Sequence, residues 1–409
     1  MGASRRWAGP DGRYEFQPSL ATAKQLSMYV HTRTLSWIAK RGVLPAPRQW
    51  RRAVYTTGFA LAYGALVGTV SIARWLDGLF YPEFRRTPIQ PPLFVVATPR
   101  SGTTYLHHLL SLDSDRFVSF RLYQTLAPSI LLDRCIGQLA ELDAETGLGL
   151  AQLVDAIDNR MFTDWDHIHR VGLRAYEEDE NLFVYSLATP ALYLLIPCLR
   201  QLPELANIES FGRRAVERLA SDYRESVQRL VYLSGGTRVP LLKTVLFPSR
   251  LSVVDAAFPE ARYVHVVRDP MQAIPSAVSM FHTMWQAHSP HIEATSADTR
   301  ALAKMFVDHY GVLSEQRASL PAERCTTVHY EALVNDPVGS VERIYRAFGL
   351  PLSTSFVERL AAAARAATRF RSRHQYQLER FGLTPADIES ALFYYRRECD
   401  QSSVGAGLA

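Results

Sequence analysis

Short apolar runs alternate with longer amphipathic stretches along residues 93–348 of the 409-residue chain. Four of the runs are brief and rich in β-branched residues, as strands buried in a sheet are. They lie at residues 93–97, 239–244, 262–267 and 324–329. The segments between and after them predict helices at 103–110, 211–233, 249–258, 271–285, 299–317 and 336–348. Strands that alternate with helices predict an α/β fold, a parallel β-sheet flanked by helices, with ligands at the carboxyl ends of the strands.

Capping residues mark several of the helix starts. Ser249 is placed to cap the helix that follows the second strand. Asp336 and Thr384 are each followed by proline, which favours a helix beginning at that proline. Residues 117–160 are predicted to be mostly helical, and residues 161–181 to form a polar loop that leads into a helix.

The N-terminal part of the chain has a different pattern. Residues 18–41 are amphipathic and predict a helix. Residues 53–73 carry no charge, are long enough to cross a bilayer, and contain a stripe of small residues with a G-x-x-x-G motif. Because their hydropathy is middling, we favour a buried helix packed on another helix, or a helix on a membrane surface, over a span. We therefore expect a helical extension at residues 1–90 and an α/β domain at residues 91–400.

The turn after the first strand has the features of an anion site. It reads Thr-Pro-Arg-Ser-Gly-Thr-Thr over residues 98–104. At a helix start, backbone N–H groups and the positive end of the helix dipole converge, and glycine lets a phosphate approach the backbone. The predicted phosphate-binding residues are Arg100, Ser101, Gly102, Thr103 and Thr104. The turn lacks the lysine of a nucleotide-triphosphatase P-loop, and no strand ends in an acidic residue suited to Mg²⁺, so no metal is expected.

This turn resembles the 5′-phosphosulfate loop of sulfotransferases that use 3′-phosphoadenosine 5′-phosphosulfate (PAPS). Residues 239–281 resemble the 3′-phosphate block of the same family, in which a strand ends in Arg, Asn/Asp-Pro follows, and a Ser comes next on the helix. Those positions are Arg268, Asp269 and Ser276 here. A guanidinium meets a phosphate dianion bidentately. The competing interpretation is that Arg268 forms an ion pair with Asp269 or Glu260.

Two further segments extend the resemblance to about residue 398. Tyr330 matches a tyrosine that lies near the adenine in the family, although it suits a core position equally well. Residues 371–383 resemble the tail of bacterial members, and Arg373 there is a candidate phosphate ligand in a basic cluster that could equally be solvated. The resemblance implies a P-loop NTPase-like sulfotransferase fold for residues 91–400, with PAPS as co-substrate.

Sulfuryl transfer needs cations at the leaving phosphate and a base at the acceptor hydroxyl. The resemblance assigns the cations to Arg100 and to Lys243, which ends a predicted strand. Val245 replaces the histidine that serves as base in cytosolic members, so the base must come from elsewhere. We take Glu178, in a Glu-Glu-Asp-Glu run, as the first candidate and His169 as the second. The competing interpretation is that the acidic run is a solvated helix start.

Composition limits the partners and the location. The net charge of +5 is mild for a nucleic-acid binder, and no basic-aromatic groove pattern is present, so no nucleic-acid partner is predicted. The four cysteines have no metal spacing, and the N-terminus has no signal-peptide layout. These features favour a cytoplasmic protein. Peripheral membrane association and a single pass through residues 53–73 are the alternatives.

The sequence therefore predicts an enzyme that transfers a sulfuryl group from PAPS to a hydroxyl of a lipid, glycan or other small molecule, releasing 3′-phosphoadenosine 5′-phosphate. Two other functions stay open at this point. One is a P-loop kinase-like phosphotransferase, which the missing lysine disfavours. The other is a non-catalytic, membrane-associated nucleotide-binding module. The pattern of residues predicts neither the acceptor nor the oligomeric state.

Overall fold

The computed structural model describes residues 29–42, 50–162, 172–367 and 377–406. In these ranges, five strands form one parallel sheet in the order β2-β3-β1-β4-β5. The strands are β1 (Leu93–Val96), β2 (Phe117–Val118), β3 (Val239–Thr244), β4 (Arg262–Val267) and β5 (Cys325–His329). The predicted α/β class is confirmed, and so are the four predicted strands. The two-residue edge strand β2 lies in a segment predicted to be helical.

Helices cover both faces of the sheet and its margins. The α-helices are α1 (Thr32–Gly42), α2 (Trp50–Phe80), α3 (Thr103–Ser111), α4 (Leu122–Leu126), α5 (Ile130–Thr146), α6 (Leu150–Phe162), α7 (Asn181–Val184), α8 (Leu192–Leu195), α9 (Arg213–Leu233), α10 (Leu251–Ala257), α11 (Pro270–His288), α12 (Ala297–Ser319), α13 (Tyr330–Asn335), α14 (Pro337–Ala347), α15 (Thr354–Ala367) and α16 (Glu389–Ala406). Short 3-10 helices lie at Pro82–Arg86, Pro203–Ala206, Ile208–Phe211, Phe247–Arg250, Leu378–Phe381 and Pro385–Ile388.

The central strand β1 is buried along its whole length, which explains its continuous apolar sequence. On one face, Phe94 packs against aromatic rings from β4 and from either side of α10. On the other face, Leu93 and Val95 pack against leucines of α3. In the register, Val96 lies opposite Thr244 of β3 and His265 of β4. The carboxyl ends of the three strands therefore meet at one edge, where the predicted motifs are.

The predicted caps have mixed outcomes. Asp336 accepts a hydrogen bond from the Gly339 N–H and begins α14, as expected. The Thr384 cap is also confirmed, although it opens a 3-10 helix before α16. The Ser249 prediction is wrong, because Ser249 lies inside the 3-10 helix Phe247–Arg250 and its hydroxyl donates to the Leu246 carbonyl. Proline at the start of that turn favours the early helical conformation that displaces the cap.

Helix α2 contains the uncharged segment and lies along the surface of the sheet domain. It is held there by polar contacts spread along its length. Arg52 Nε donates to Ser289 Oγ (2.8 Å), and the Tyr63 hydroxyl donates to the Tyr185 carbonyl (2.6 Å). Near its C-terminus, Asp77 forms a buried ion pair with Arg229 (2.9 Å). These contacts, two of them from charged residues outside the uncharged segment, fix α2 in one orientation.

The side of α2 that faces away from these contacts is largely exposed, unlike the surface of a core helix. By length and composition it is the one helix of the described ranges that could cross a membrane, and only 17% of its most apolar window is buried. No heavy atom from the described neighbours lies within 4 Å of a Cβ built at Gly58, Gly64 or Gly68. The interpretation of this segment as a buried helix packed on another helix through small residues is therefore wrong.

Candidate active site

The turn between β1 and α3 forms the centre of the site. Arg100 and Gly102 both have left-handed backbone conformations, with φ of 68° and 84°. A Cβ at position 102 would lie 2.8 Å from the Tyr330 ring, so both the conformation and the space require glycine. Thr98 Oγ1 and Ser101 Oγ, 3.1 Å apart, close the turn with a buried hydrogen bond. The result is a narrow cradle at the N-terminus of α3, where anions bind favourably.

The second phosphate motif meets this turn directly. Arg100 Nε donates to Ser276 Oγ on α11 (3.1 Å), and Arg268, which follows β4, donates from Nη1 to the Arg100 carbonyl. Among the described residues, no carboxylate lies within 4.0 Å of the Arg268 guanidinium, so the proposed ion pairs with Asp269 or Glu260 are absent. Asp269 instead caps α11 by accepting from the Met271 N–H. Two motifs far apart in sequence thus form one basic surface.

Arg268 is held in one orientation by its neighbours. Its Cζ atom lies 4.0 Å from the centre of the Tyr330 ring, and Nη2 donates to Gln272 Oε1 (3.2 Å). The Tyr310 hydroxyl donates to its carbonyl (2.9 Å). Its Nε is buried, and no partner for it lies in the described part of the chain. Protein contacts therefore hold the guanidinium in one orientation.

Lys243 links the phosphate loop to the acidic run. It is the penultimate residue of β3, and only 1% of its surface is exposed. Its Nζ donates to Thr104 Oγ1 (3.1 Å) and lies 3.5 Å from Glu177 Oε1 and 3.4 Å from Glu178 Oε1. Burial by itself would lower the pKa of Lys243, but the two carboxylates outweigh it and raise that pKa. The buried ammonium therefore stays charged.

The acidic run is divided between two cations. Glu177 and Glu178 face Lys243, whereas Asp179 and Glu180 are 1% and 4% exposed and pair with the buried Arg250. Burial raises the pKa of Asp179 to about 6, although Arg250 opposes that shift. The interpretation of this run as a solvated helix start is wrong. Of the two glutamates at Lys243, Glu178 has the more exposed side chain, 23% against 10%.

Two histidine positions bear on the choice of base. Val245, where cytosolic family members have their histidine, packs in an apolar cluster and offers no proton acceptor. His107 of α3 lies beside the site, a residue that the sequence analysis did not single out. Burial, reinforced by Lys243, lowers its pKa to about 3, so its ring is neutral. Its Nε2 lies 3.3 Å from the Leu241 carbonyl of β3, so this histidine connects α3 to β3.

The structure thus brings most of the predicted site residues to one edge of the sheet. They are Arg100, Ser101, Gly102, Thr103, Thr104, Glu178, Lys243, Arg268, Ser276 and Tyr330. His169 and Arg373 lie outside the described residues. Glu177 and Arg250 were missed, although the acidic run itself and the position of Arg250 after β3 were visible in the sequence.

A protein-family model described as "Sulfotransferase family" matches residues 91–354. The chain belongs to this family. It is therefore an enzyme of sulfuryl transfer, and PAPS is the sulfuryl donor of the family. The kinase-like and non-catalytic alternatives are not supported.

The sulfotransferase also resembles individual proteins. It is 27% identical over 317 residues to the omega-hydroxy-beta-dihydromenaquinone-9 sulfotransferase Stf3 of Mycobacterium bovis, covering 76% of this chain and 75% of that protein. The Stf3 of Mycobacterium tuberculosis matches equally. Among solved structures, sulfotransferase STF9 from Mycobacterium avium superposes with a TM-score of 0.68 and STF1 from M. tuberculosis with 0.63, each at 19% identity. They cover 90% and 88% of this chain, and 90% and 89% of their own. These structures confirm the sulfotransferase fold.

Proposed function

We propose that this sulfotransferase transfers the sulfuryl group of PAPS to a hydroxyl of a lipid acceptor at a membrane surface, with Glu178 as base. The observation that carries the proposal is the position of Lys243. Its one ammonium group contacts Thr104 of the phosphate loop and Glu178 of the acidic run. On one side, a cation in that position stabilises the negative charge of the leaving phosphate. On the other side, it lies beside the carboxylate that accepts the hydroxyl proton.

The residues around the cradle fit a nucleotide that carries two phosphate positions. Gly102 begins α3 in a left-handed conformation, and hydroxyl side chains flank it in the sequence at Ser101, Thr103 and Thr104. We assign the 5′-phosphosulfate to this cradle. The 3′-phosphate goes to Arg268 and Ser276, with the adenine near Tyr330. The buried Nε of Arg268 supports the assignment, because a bound phosphate supplies the acceptor that it lacks.

The proposed reaction is an in-line displacement at sulfur. The acceptor oxygen bonds to sulfur while its proton passes to the Glu178 carboxylate. The bond from sulfur to the bridging oxygen of the 5′-phosphate breaks, and Arg100 and Lys243 stabilise the charge that this oxygen gains. Glu177 lies at a similar distance from Lys243 but is less exposed, so we assign it to holding the ammonium rather than to proton transfer.

The exposed apolar surface supports a lipid acceptor. Most large apolar side chains that are exposed in the described residues lie on α2 or on α5, α6 and their connection. Those of α2 are Trp50, Val54, Leu61, Ile72, Trp75, Leu79 and Phe80, and those of the second region are Ile136, Leu139, Leu142, Leu148, Leu153 and Ile157. Clusters of this size mark sites that contact protein or membrane. The Stf3 relatives also act on a substrate whose name is that of a lipid quinone.

The geometry of α2 favours a helix that lies on the membrane rather than through it. Five exposed apolar residues, Val54, Leu61, Ile72, Trp75 and Leu79, are separated by nearly whole numbers of turns and so share one side. The other side is fixed along the enzyme by the contacts of Arg52, Tyr63 and Asp77. Exposed basic residues at both ends, Arg51, Arg85 and Arg86, suit anionic headgroups. We propose a peripheral location on the cytoplasmic side, where PAPS is available.

A vesicle flotation assay tests this location. The wild-type enzyme should float with vesicles containing anionic lipid and should be released by high salt or carbonate. Leu61→Glu combined with Ile72→Glu should abolish flotation. Phe393→Glu, at a residue exposed to 61% on α16, is the matched control and should float. Failure of the wild-type enzyme to float contradicts the proposal, and release by detergent alone shows that α2 spans the bilayer.

A further inference from the structure

Arg250 is a fully buried cation that the proposed chemistry does not use. Its Nη2 lies 2.6 Å from Glu180 Oε2 and 3.5 Å from Asp179 Oδ1, and it also donates to Thr244 Oγ1 at the end of β3. Its Cζ atom lies 4.1 Å from the centre of the Phe183 ring. One side chain therefore joins the end of a site-forming strand to the acidic run and to α7.

The same carboxylates are bound by other groups, so the second half of the run has little freedom. The Tyr223 hydroxyl donates to Asp179 Oδ2, and the Thr189 hydroxyl donates to Glu180 Oε1. The Asp179 N–H donates to the Lys243 carbonyl (3.3 Å). The acidic run is thus attached to β3 through its backbone and through Arg250. Glu177 and Glu178 precede this attachment directly.

We propose that Arg250 is a positioning residue for sulfuryl transfer: by holding Asp179 and Glu180 at the end of β3, it fixes Glu178 at the acceptor side of Lys243. This inference rests on the proposed function. The new element is that the orientation of the base depends on a residue that touches neither the donor nor the acceptor.

Charge balance explains why a cation is needed at this point. The acidic run places four carboxylates in succession, two at Lys243 and two at Arg250, and like charges at such spacing repel strongly in a buried site. Arg250 neutralises the second pair, which leaves Lys243 free to remain bound to Thr104 and to the first pair. Without Arg250, Asp179 and Glu180 would compete for the Lys243 ammonium or take up protons, and either response would move Glu178.

The chain contains a matched control for this arginine. Arg229 is also buried, its Cζ atom lies 4.2 Å from the Phe84 ring centre, and it pairs with Asp77 (2.9 Å) and Glu225 (3.1 Å). It joins α9 to α2 instead of bordering the site. A substitution at Arg229 therefore has a similar structural cost and leaves the acidic run unchanged.

The variants Arg250→Lys and Arg250→Met separate geometry from charge. Arg250→Lys keeps the charge, but its ammonium ends one atom short of the Nη2 position that contacts Asp179, Glu180 and Thr244. We therefore expect kcat to fall about tenfold or more while affinity for 3′-phosphoadenosine 5′-phosphate stays unchanged. Arg250→Met should lower kcat by roughly 10², the cost of a misplaced catalytic group. If the methionine variant does not fold, the lysine variant carries the test. Arg229→Lys should keep the wild-type kcat.

The pH profile distinguishes positioning from a loss of folded protein. The charged or titratable groups around the acidic run are its other members Glu177, Asp179 and Glu180, the partner cation Arg250, Lys243 on β3, His107 on α3 and Tyr223 on α9. Removing a cation lets nearby carboxylates hold their protons to higher pH. The acidic limb of kcat should therefore move to higher pH in Arg250→Met and stay in place in Arg250→Lys.

Each result leads to a decision. A wild-type enzyme without turnover refutes the proposed function, and the positioning role with it. Wild-type turnover together with an unchanged kcat in both Arg250 variants refutes the positioning role alone. A fall in kcat that only matches a loss of folded protein, as measured by ligand binding and thermal unfolding, refutes it as well.

Discussion

Replacing Arg268 by alanine should weaken binding of 3′-phosphoadenosine 5′-phosphate far more than it changes chemistry. The guanidinium already gives Nη1 to the Arg100 carbonyl and Nη2 to Gln272, and it lies over Tyr330. In the proposed complex these contacts remain, so they largely cancel in the binding free energy. The 3′-phosphate would add a charge-assisted contact to the buried Nε.

A hydrogen bond between charged groups contributes about 1.5–3 kcal/mol. Part of the orientation of the loop is lost too, because Arg268 no longer holds the Arg100 carbonyl. We therefore expect a loss of about 2–3 kcal/mol, which corresponds to an increase in Kd of about 30- to 150-fold. Arg268→Lys keeps the charge without the planar set of donors, so its Kd should lie between those of wild type and alanine.

Isothermal titration with 3′-phosphoadenosine 5′-phosphate measures these changes. The matched control is Arg262→Ala, at the opposite end of β4, where the guanidinium lies 5.7 Å from the Phe348 ring centre and donates to the Phe348 carbonyl (3.4 Å). That variant should bind like wild type. Equal affinity in Arg268→Ala and wild type would refute the assignment of the 3′-phosphate to Arg268.

Glu178→Gln should lower turnover by roughly 10² to 10⁴ because a general base is lost, and nucleotide affinity should barely change. Glu177→Gln and His169→Ala should lower turnover less. Steady-state rates of the three variants test this, and a loss of turnover only in His169→Ala would identify histidine as the base. The free energy of unfolding should depend on pH through buried neutral histidines, among them His265 with a pKa lowered to about 3 and His309 with one lowered to about 4, both by burial. The unfolded chain binds protons at these histidines below about pH 6.5, whereas the folded chain does not until the pH is much lower. The free energy of unfolding should therefore have its full value above about pH 6.5 and decrease as the pH drops towards 4. Thermal unfolding across this range tests the slope, and His309→Phe should flatten it; an unchanged slope contradicts the assignment.

The elements that could be predicted best are those that local sequence specifies by itself. Strands β3 and β4 begin and end where the apolar runs do, because both are buried on two faces and bounded by turns. The cradle at Gly102 was also predictable, since a glycine between a strand and a helix has few structural alternatives. Both phosphate motifs follow strand ends, and parallel pairing brings such ends together.

The rest depends on contacts that sequence spacing does not encode. Strand β2 is two residues long and exists only because Phe117 and Val118 pair with β3. The split of the acidic run depends on Arg250, about 70 residues away in the chain, reaching Asp179 and Glu180. For α2, the apolar pattern fits burial in protein and contact with lipid equally well, and only the packed structure shows which side remains exposed.

Sulfuryl transfer to a lipid can be measured directly with PAPS labelled in its sulfur atom and hydroxyl lipids held in vesicles. The wild-type enzyme should produce labelled lipid and an equal amount of 3′-phosphoadenosine 5′-phosphate. The variant Lys243→Met should produce neither, and nucleotide binding shows whether this variant is folded. Two results would refute the proposed reaction: labelling of the lipid by Lys243→Met at the wild-type rate, or no labelled lipid from a wild-type enzyme that binds the nucleotide.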